Sequence, residues 1–357
     1  MRISGNKGEW SELYAFVELM RSGRLYAADE DLNRINNIYF PILKIFRNNA
    51  VAHSNRTDYI IQDDGVEISI DGEPVSYISN TFLEQTKYLI YHGILSGEDR
   101  SFEIKGVPEA MERMQIDKIK ASSSDKADIF MQIHDVHTGY NPFCGFSIKS
   151  ELGNPPTLLN ASGATNFVFE VCDITDDDMF RINEINSRNK ILDRISAICE
   201  IGEMVFIKAK NEIFSSNLML IDSNMEAIIA FLLLAYYQDQ ASSCRDLVDI
   251  IEEVNPLNYP RRGFYEYKFK KFLCSVALGM MPSKEWDGHD EANGGYVIVK
   301  QDGDVLAYHL YNRNAFETYL LNNTRLERGS TSRHGFASIY KENGRYFINL
   351  NLQIRFL

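Results

Sequence analysis

The chain has 357 residues, 45% hydrophobic and 12% aromatic, which excludes a disordered polymer and is enough to bury one large core or two modest ones. Its formal net charge of −13 excludes a uniformly basic nucleic-acid binder but leaves room for a local basic surface. Cys144, Cys172, Cys199, Cys244 and Cys274 are scattered without C-x-x-C spacing, which argues against a cysteine zinc site or redox centre; each is expected as a small buried hydrophobe in a reducing cytoplasm.

Met1 to Glu12 is polar and has no signal-peptide pattern. Residues 9–22 read as a helix, with Trp10, Leu13, Tyr14, Val17 and Met20 at helical spacing. The same reasoning predicts a helix over Asp31–Asn48 from Ile35, Ile38, Leu43 and Phe46. Tyr59–Val75 alternates and turns at Asp63-Asp64-Gly65 and Asp71-Gly72, predicting hairpin strands. Asn80–Gly97 and Val107–Lys120 read as helices, the second with Pro108 in its first turn. Ala127–His134 and Phe143–Lys149 are predicted strands around a Gly/Asn/Pro turn. A helix beginning within Leu158–Thr165 and a strand at Asn166–Val171 follow. Met179–Met281 is almost wholly helical in pattern, and its apolar run Ala227–Tyr237 is too short to span a bilayer. Gly294–Leu357 is mainly β. These patterns imply a mixed α/β (α+β) protein in three closely packed parts: 1–178, a helical segment 179–285, and a β-rich 286–357.

Two runs are locally basic. Pro256–Lys271 holds five Arg/Lys against one Glu, and Arg325–Arg355 holds six against two, so each nets +4 and each contains aromatics. An acidic exterior around such patches suits a cleft that holds phosphate.

The hairpin carries the chemistry. Hydrolysis of a phosphodiester uses a metal to polarise phosphate and activate water, and a cation to stabilise developing charge. An aspartate at the start of one strand and a lysine at the end of the antiparallel next strand come back side by side. Asp128 and Lys149 have this placement, with the Ser122–Asp125 turn and Lys126 before it. The seven histidines form no metal triad at recognisable spacing, although His134, Asp135 and His137 share a turn. No P-loop and no G-x-S-x-G motif is present.

Asp128 with Ser147-Ile148-Lys149 resembles the PD-(D/E)-x-K nuclease signature. Three longer strings, GNKGEWSELYAF, GFSIKSELGNPPTLLNASGATNFVFEV and YHLYNRNAFETYLLNNTRLERGSTSRHGFASIY with LNLQIRF, are similar to the HpaII-type restriction endonucleases. The resemblance implies a PD-(D/E)-x-K core, a mixed sheet flanked by helices, and Mg²⁺-dependent cleavage of double-stranded DNA at a CCGG-like palindrome. It also implies a cognate DNA methyltransferase as genetic partner, no membrane, and a possible homodimer.

One departure is plain. The acid expected two residues before the lysine is Ser147, which lacks a carboxylate's charge. Glu12 on the first helix and Glu151 beyond Lys149 are the candidate replacements, with Glu9 a second-rank partner of Glu12. On this reading Asp128 and Glu12 hold the metal and the Ile148 carbonyl completes the shell, while Lys149 orients or deprotonates the attacking water. Asn160, Ser162 and Thr165 are candidate phosphate contacts. Asn322, Asn323, Arg325, Arg328, Arg333 and His334 are candidate base readers in a C-terminal loop, with Arg261 and Arg262 a second patch. Two other functions fit the same residues: a non-cleaving DNA-binding protein in which Ser147 marks a decayed site, and a nuclease restricted to modified DNA.

Overall fold

A computed structural model describes residues 3–48, 56–119, 127–136, 138–309 and 312–357. In chain order the elements are α1 Lys7–Ser22, β1 Arg24–Ala28, β2 Arg34–Asn48, β3 Arg56–Ile61, β4 Gly65–Ile70, β5 Glu73–Ser79, α2 Asn80–Ser96 and α3 Val107–Arg113. Next come β6 Ile129–Ile133, β7 Phe143–Ser150, β8 Thr157–Leu159, β9 Asn166–Cys172, α4 Asp176–Glu184, α5 Lys190–Ile201 and β10 Glu203–Ala209. Then follow α6 Glu212–Ile221, α7 Met225–Tyr237, α8 Cys244–Val254, α9 Phe264–Leu278, β11 Gly295–Val299 and β12 Val305–His309. The last are α10 Arg313–Asn322, β13 Thr324–Leu326, α11 Thr331–His334, β14 Ile339–Glu342, β15 Arg345–Asn351 and β16 Ile354–Phe356. The protein is mixed α/β, as its patterns imply.

The chain groups into two compact units, Met1–Pro156 with Asp290–Phe316, and Thr157–His289 with Glu317–Leu357. Their limits lie at 156, 289 and 316, against 178 and 285 in the division drawn from sequence.

The first unit is built on a sheet of order β1-β12-β11-β7-β6-β2-β3-β4-β5, in which β7–β11 and β1–β12 are parallel. An added β1–β2 pairing closes β1, β12, β11, β7, β6 and β2 into a ring. Helix α1 forms where Asn6 accepts from the Glu9 N–H and the Glu9 side chain accepts from the Asn6 N–H, a capping box, and it stops at left-handed Gly23. Its Trp10, Leu13, Phe16, Val17 and Met20 are buried in one core with Ile45, Tyr59, Ile68, Ile90 and Met131. Burying side chains of this size contributes roughly 1.5–3 kcal/mol each.

The second unit holds a four-stranded sheet, β10-β9-β15-β14, and a three-stranded one, β13-β16-β8. Helix α7 runs through its interior with Ile228, Ile229, Leu232 and Leu233 at most 1% exposed. Among the described residues no single helix is long and apolar enough to cross a membrane. The pair α6–α7, bent by 106°, meets that test only when taken together.

Several expectations are corrected. Asp31–Asn48 is not a helix: Arg34–Asn48 is β2. A register shift between Ile42 and Lys44 moves the buried positions from Phe40 and Ile42 to Ile45 and Arg47. One bulge thus makes a period of two look helical. Pro41, which a helix interior would not accept, sits where β2 passes from β1 to β6. Helix α3 ends at Arg113, before Gln115 at φ 58°, rather than running to Lys120. Leu158–Thr165 opens no α-helix but gives β8 and a single 3-10 turn at Gly163–Thr165. The helical 179–281 stretch contains the strand β10, and the β-rich C-terminus contains α10 and α11. All five cysteines are free thiols; Cys144, Cys244 and Cys274 are buried as expected, whereas Cys172 is half-buried and Cys199 exposed.

Candidate active site

Strands β6 and β7 form the expected antiparallel hairpin, with Ile129 opposite Phe146. Gly145 keeps the pair close, because a Cβ there would meet Ala127 Cβ at 2.8 Å and the Phe130 ring at 2.9 Å. Asp128, the residue just before β6, donates its N–H to the Phe146 carbonyl at 2.9 Å. Its carboxylate continues the ladder: Oδ2 accepts from the Ile148 N–H at 2.7 Å and from Ser147 Oγ at 3.1 Å. One carboxylate oxygen is therefore fixed and Oδ1 carries no hydrogen bond among the described residues. Ser147, 6% exposed, stands where an acid was expected and holds Asp128 in place. The Ser122–Lys126 approach to Asp128 lies outside the described residues, as does His137.

Lys149 shares a strand face with Ser147, two residues away. Its Nζ lies 5.8 Å from the centre of the Tyr296 ring on β11, and it makes no ion pair among the described residues. Helix α1 reaches the same place through Ser11, which accepts from Ser150 Oγ at 2.8 Å and donates to the Lys7 carbonyl at 2.7 Å. Glu12 follows Ser11. A cleft of about 1080 Å³ is lined by Glu12, Ile148 and Lys149, with Lys7 and Arg100 on its walls. Of the two candidate acids, Glu12 faces this cleft. Glu151 turns away, accepting from the Gln301 N–H at 3.3 Å. Glu9 is engaged in the α1 capping box.

Arg47 on β2 escaped the sequence reading. It is 8% exposed, lies 5.4 Å from the Phe16 ring, and donates to the carbonyls of Lys118 and Ile119. Burial pushes its pKa down, while Tyr59, Glu12 and Asp117 act in the opposite direction. Its signal was an arginine at the inward phase of an apolar strand. Lys7 and Arg100 were also missed, because neither belongs to a charge run.

Among the described residues no group of three or more His, Cys, Asp or Glu is arranged to hold a metal. The candidate donors, the Asp128 and Glu12 carboxylates and the Ile148 carbonyl on the β6 edge of its strand, are all oxygen. That suits Mg²⁺, which takes one or two protein carboxylates and otherwise water and phosphate.

The candidate DNA contacts all fall in the second unit. Residues 322–334 are not one loop but the end of α10, then β13, then α11. Asn322 Oδ1 accepts from Arg245, and Asn323 Nδ2 donates to the Tyr319 carbonyl. Arg325 lies 3.8 Å from Glu327 and Arg328 3.7 Å from Asp239. Arg333 is exposed and makes no ion pair with a described residue. Thr165 is 0% exposed and its hydroxyl is spent in a turn with Ser162, whose own Oγ accepts from the Ala164 N–H. Phosphate contact by Thr165 is incompatible with that burial. Asn160 is exposed, and the adjoining Ala161 is near Gly329, where an added Cβ would meet it at 2.8 Å, so Asn160 and α11 lie on neighbouring segments. His334 gives its carbonyl to Asn166 Nδ2. Arg261 and Arg262 are exposed before α9, with Arg262 3.9 Å from Glu253.

A carboxylate and a lysine brought together by a hairpin beside an acid on a packed helix define a hydrolytic metal-site candidate. The family model described as HpaII restriction endonuclease matches residues 6–356. The type II restriction enzyme HpaII of Haemophilus parainfluenzae is 40% identical over 365 residues, covering 99% of each chain. No solved structure matches. The chain belongs to the HpaII restriction endonuclease family, a family of type II, sequence-specific restriction endonucleases acting on DNA.

Proposed function

We propose that this chain cuts double-stranded DNA at a CCGG-like palindrome, with β6, β7 and α1 as a PD-(D/E)-x-K core and Asp128, Glu12 and the Ile148 carbonyl as the Mg²⁺ site. The observation that carries the reading is the double hydrogen bond that fixes Asp128 Oδ2 to Ser147 and Ile148, the residues just before Lys149, while Ile148, Lys149 and Glu12 line one cleft. A bound Mg²⁺ would supply charge to polarise the scissile phosphate and acidify water. Ser147 and the Ile148 N–H hold Asp128 in one rotamer, so little reorganisation is needed when substrate arrives. Lys149, without an ion pair among the described residues, places an ammonium where negative charge develops and orients the attacking water, or, as the neutral amine, takes its proton. The engagement of Ser147 with Asp128 favours a working site over a decayed one.

Arg333, with Asn160 on the neighbouring segment, is the leading DNA contact of the second unit. A palindrome has two-fold symmetry, which a homodimer would match. A short site recurs throughout any genome, so the host needs a methyltransferase that marks it. Free thiols in every cysteine suit action in the cytoplasm.

Plasmid DNA incubated with purified protein and Mg²⁺ is expected to give discrete fragments, none in EDTA, and run-off sequencing of the ends reads site and stagger. Binding without cutting in Mg²⁺ or Mn²⁺ would select the non-cleaving function. Cutting of methylated DNA alone would select the modification-dependent one.

A further inference from the structure

We infer that Lys7 and Arg100 form a sequence-independent phosphate grip in the cleft that also holds Glu12 and Lys149. Both line that cleft, Lys7 from the first turn of α1 and Arg100 from the loop after α2. Neither makes an ion pair or hydrogen bond through its side chain with a described residue, in a protein with 50 acids and 37 Lys/Arg. Elsewhere in the molecule cations find carboxylates readily: Arg21, Lys87, Arg245, Lys271 and Arg345 are all paired. A cation left over beside abundant acids is available to an external anion.

The lysine is also held in place. Gly153 lies against its stem, where an added Cβ would meet Lys7 Cβ at 3.2 Å and Cδ at 3.7 Å, so the absence of a side chain at 153 leaves room for the methylenes. Glu98 and Asp99 precede Arg100 and line the cleft too, but they also line the adjoining hollow around His92 and Lys105, where Arg100 does not reach. The anion that fits a cleft already reserved for a scissile phosphodiester is the next phosphate of the same strand. Phosphate contacts position the duplex and carry no sequence information, so these residues set affinity and register rather than site choice.

The inference rests on the nuclease reading of the cleft, and the test separates the two. Lys7→Gln and Arg100→Gln keep most of the side-chain stem. Binding to a short fluorescent duplex, with CCGG or with the site scrambled, is measured in Ca²⁺ across a salt series. Each variant is expected to lose about eightfold in affinity at ~0.1 M salt, equally on both duplexes, and to flatten the slope of log K against log salt by about 0.9. Lys7→Arg should restore both. An unchanged slope, or a loss confined to the CCGG duplex, overturns the grip. If either variant unfolds, the charge-preserving Lys7→Arg and Arg100→Lys decide the matter, since a grip predicts a slope like that of the natural protein and a changed slope refutes it. Failure of the nuclease reading of the cleft shows elsewhere, as natural protein that binds without cutting in Mg²⁺, or as Lys149→Ala protein that still cuts.

Discussion

The cleft beside β7 and the arginine-rich C-terminal run make a useful contrast. The run Arg325–Arg355 nets +4 in sequence, yet Arg325 and Arg355 share Glu327, Arg328 faces Asp239, Lys341 meets Asp176 and Arg345 meets Glu170. The second basic run fares alike: Lys268, Lys270 and Lys271 pair with Asp222, Glu266 and Glu317. Only Arg333 and Arg261 of these two runs are without an ion pair among the described residues. In the cleft, by contrast, Lys7, Arg100 and Lys149 belong to no basic run and none has a carboxylate partner among the described residues. Charge available to DNA is decided by pairing in three dimensions, and local net charge along a sequence is a poor measure of it.

Asp128→Ala should break the cleft side of this contrast most severely, lowering cleavage by about a thousandfold or more while leaving duplex binding in Ca²⁺ largely intact. Gel assays of both quantities check it; a loss of binding in step with cutting would make Asp128 structural.

Next in size is an acid effect on the unit that carries the cleft. Burial beside Phe40 and Phe146 pushes the His309 imidazole down to about 4, with Asp135 acting the other way. The unfolded chain then binds the proton more readily than the folded one. Stability is full above about pH 6.5 and falls by about 3 kcal/mol as pH drops toward 4. Urea unfolding at several pH values should show His309→Gln losing less over that window; equal losses would contradict the assignment.

Glu12→Ala should lower cleavage by about tenfold or more and Glu151→Ala by less, as expected for a second metal-site carboxylate against one turned to Gln301. Wild-type cutting by the first variant and a dead second would reverse the choice of acid.

The smallest effects sharpen the arginine side. Arg333→Ala should either relax one base position by roughly 1–3 kcal/mol or flatten the salt slope by about one. Arg325→Ala and Arg328→Ala, which lose exposed pairs, should each change stability by about 0–1 kcal/mol and leave discrimination intact. Binding to matched and one-base-altered duplexes ranks the three, and a larger effect at 325 or 328 would contradict the pairing argument.

The hairpin of the candidate site was legible in the sequence, because the turn after β6 returns the chain so that Asp128 meets Ser147 and Ile148, next to Lys149. The helical spacing of α1 and the hairpins of β3–β5 were legible for the same local reason. Long-range pairing hid the rest. Nothing in Arg34–Asn48 announces a bulge, so β2 read as a helix, although Pro41 was the available warning. Thr165 looked like a phosphate ligand because its burial depends on the distant Asn351, whose Nδ2 lies 3.2 Å from its hydroxyl. Arg325 and Arg328 looked free because Glu327 and Asp239 find them only in the folded chain.

The most direct test is single-turnover cleavage of a CCGG duplex by Lys149→Ala, measured alongside its binding in Ca²⁺ and its thermal unfolding. If Lys149 supplies the unpaired ammonium of the active site, the variant folds and binds like the natural protein and cuts about a thousandfold more slowly or not at all. A folded, DNA-binding variant that cuts at the natural rate would contradict the assignment of the β6–β7 hairpin as the catalytic centre.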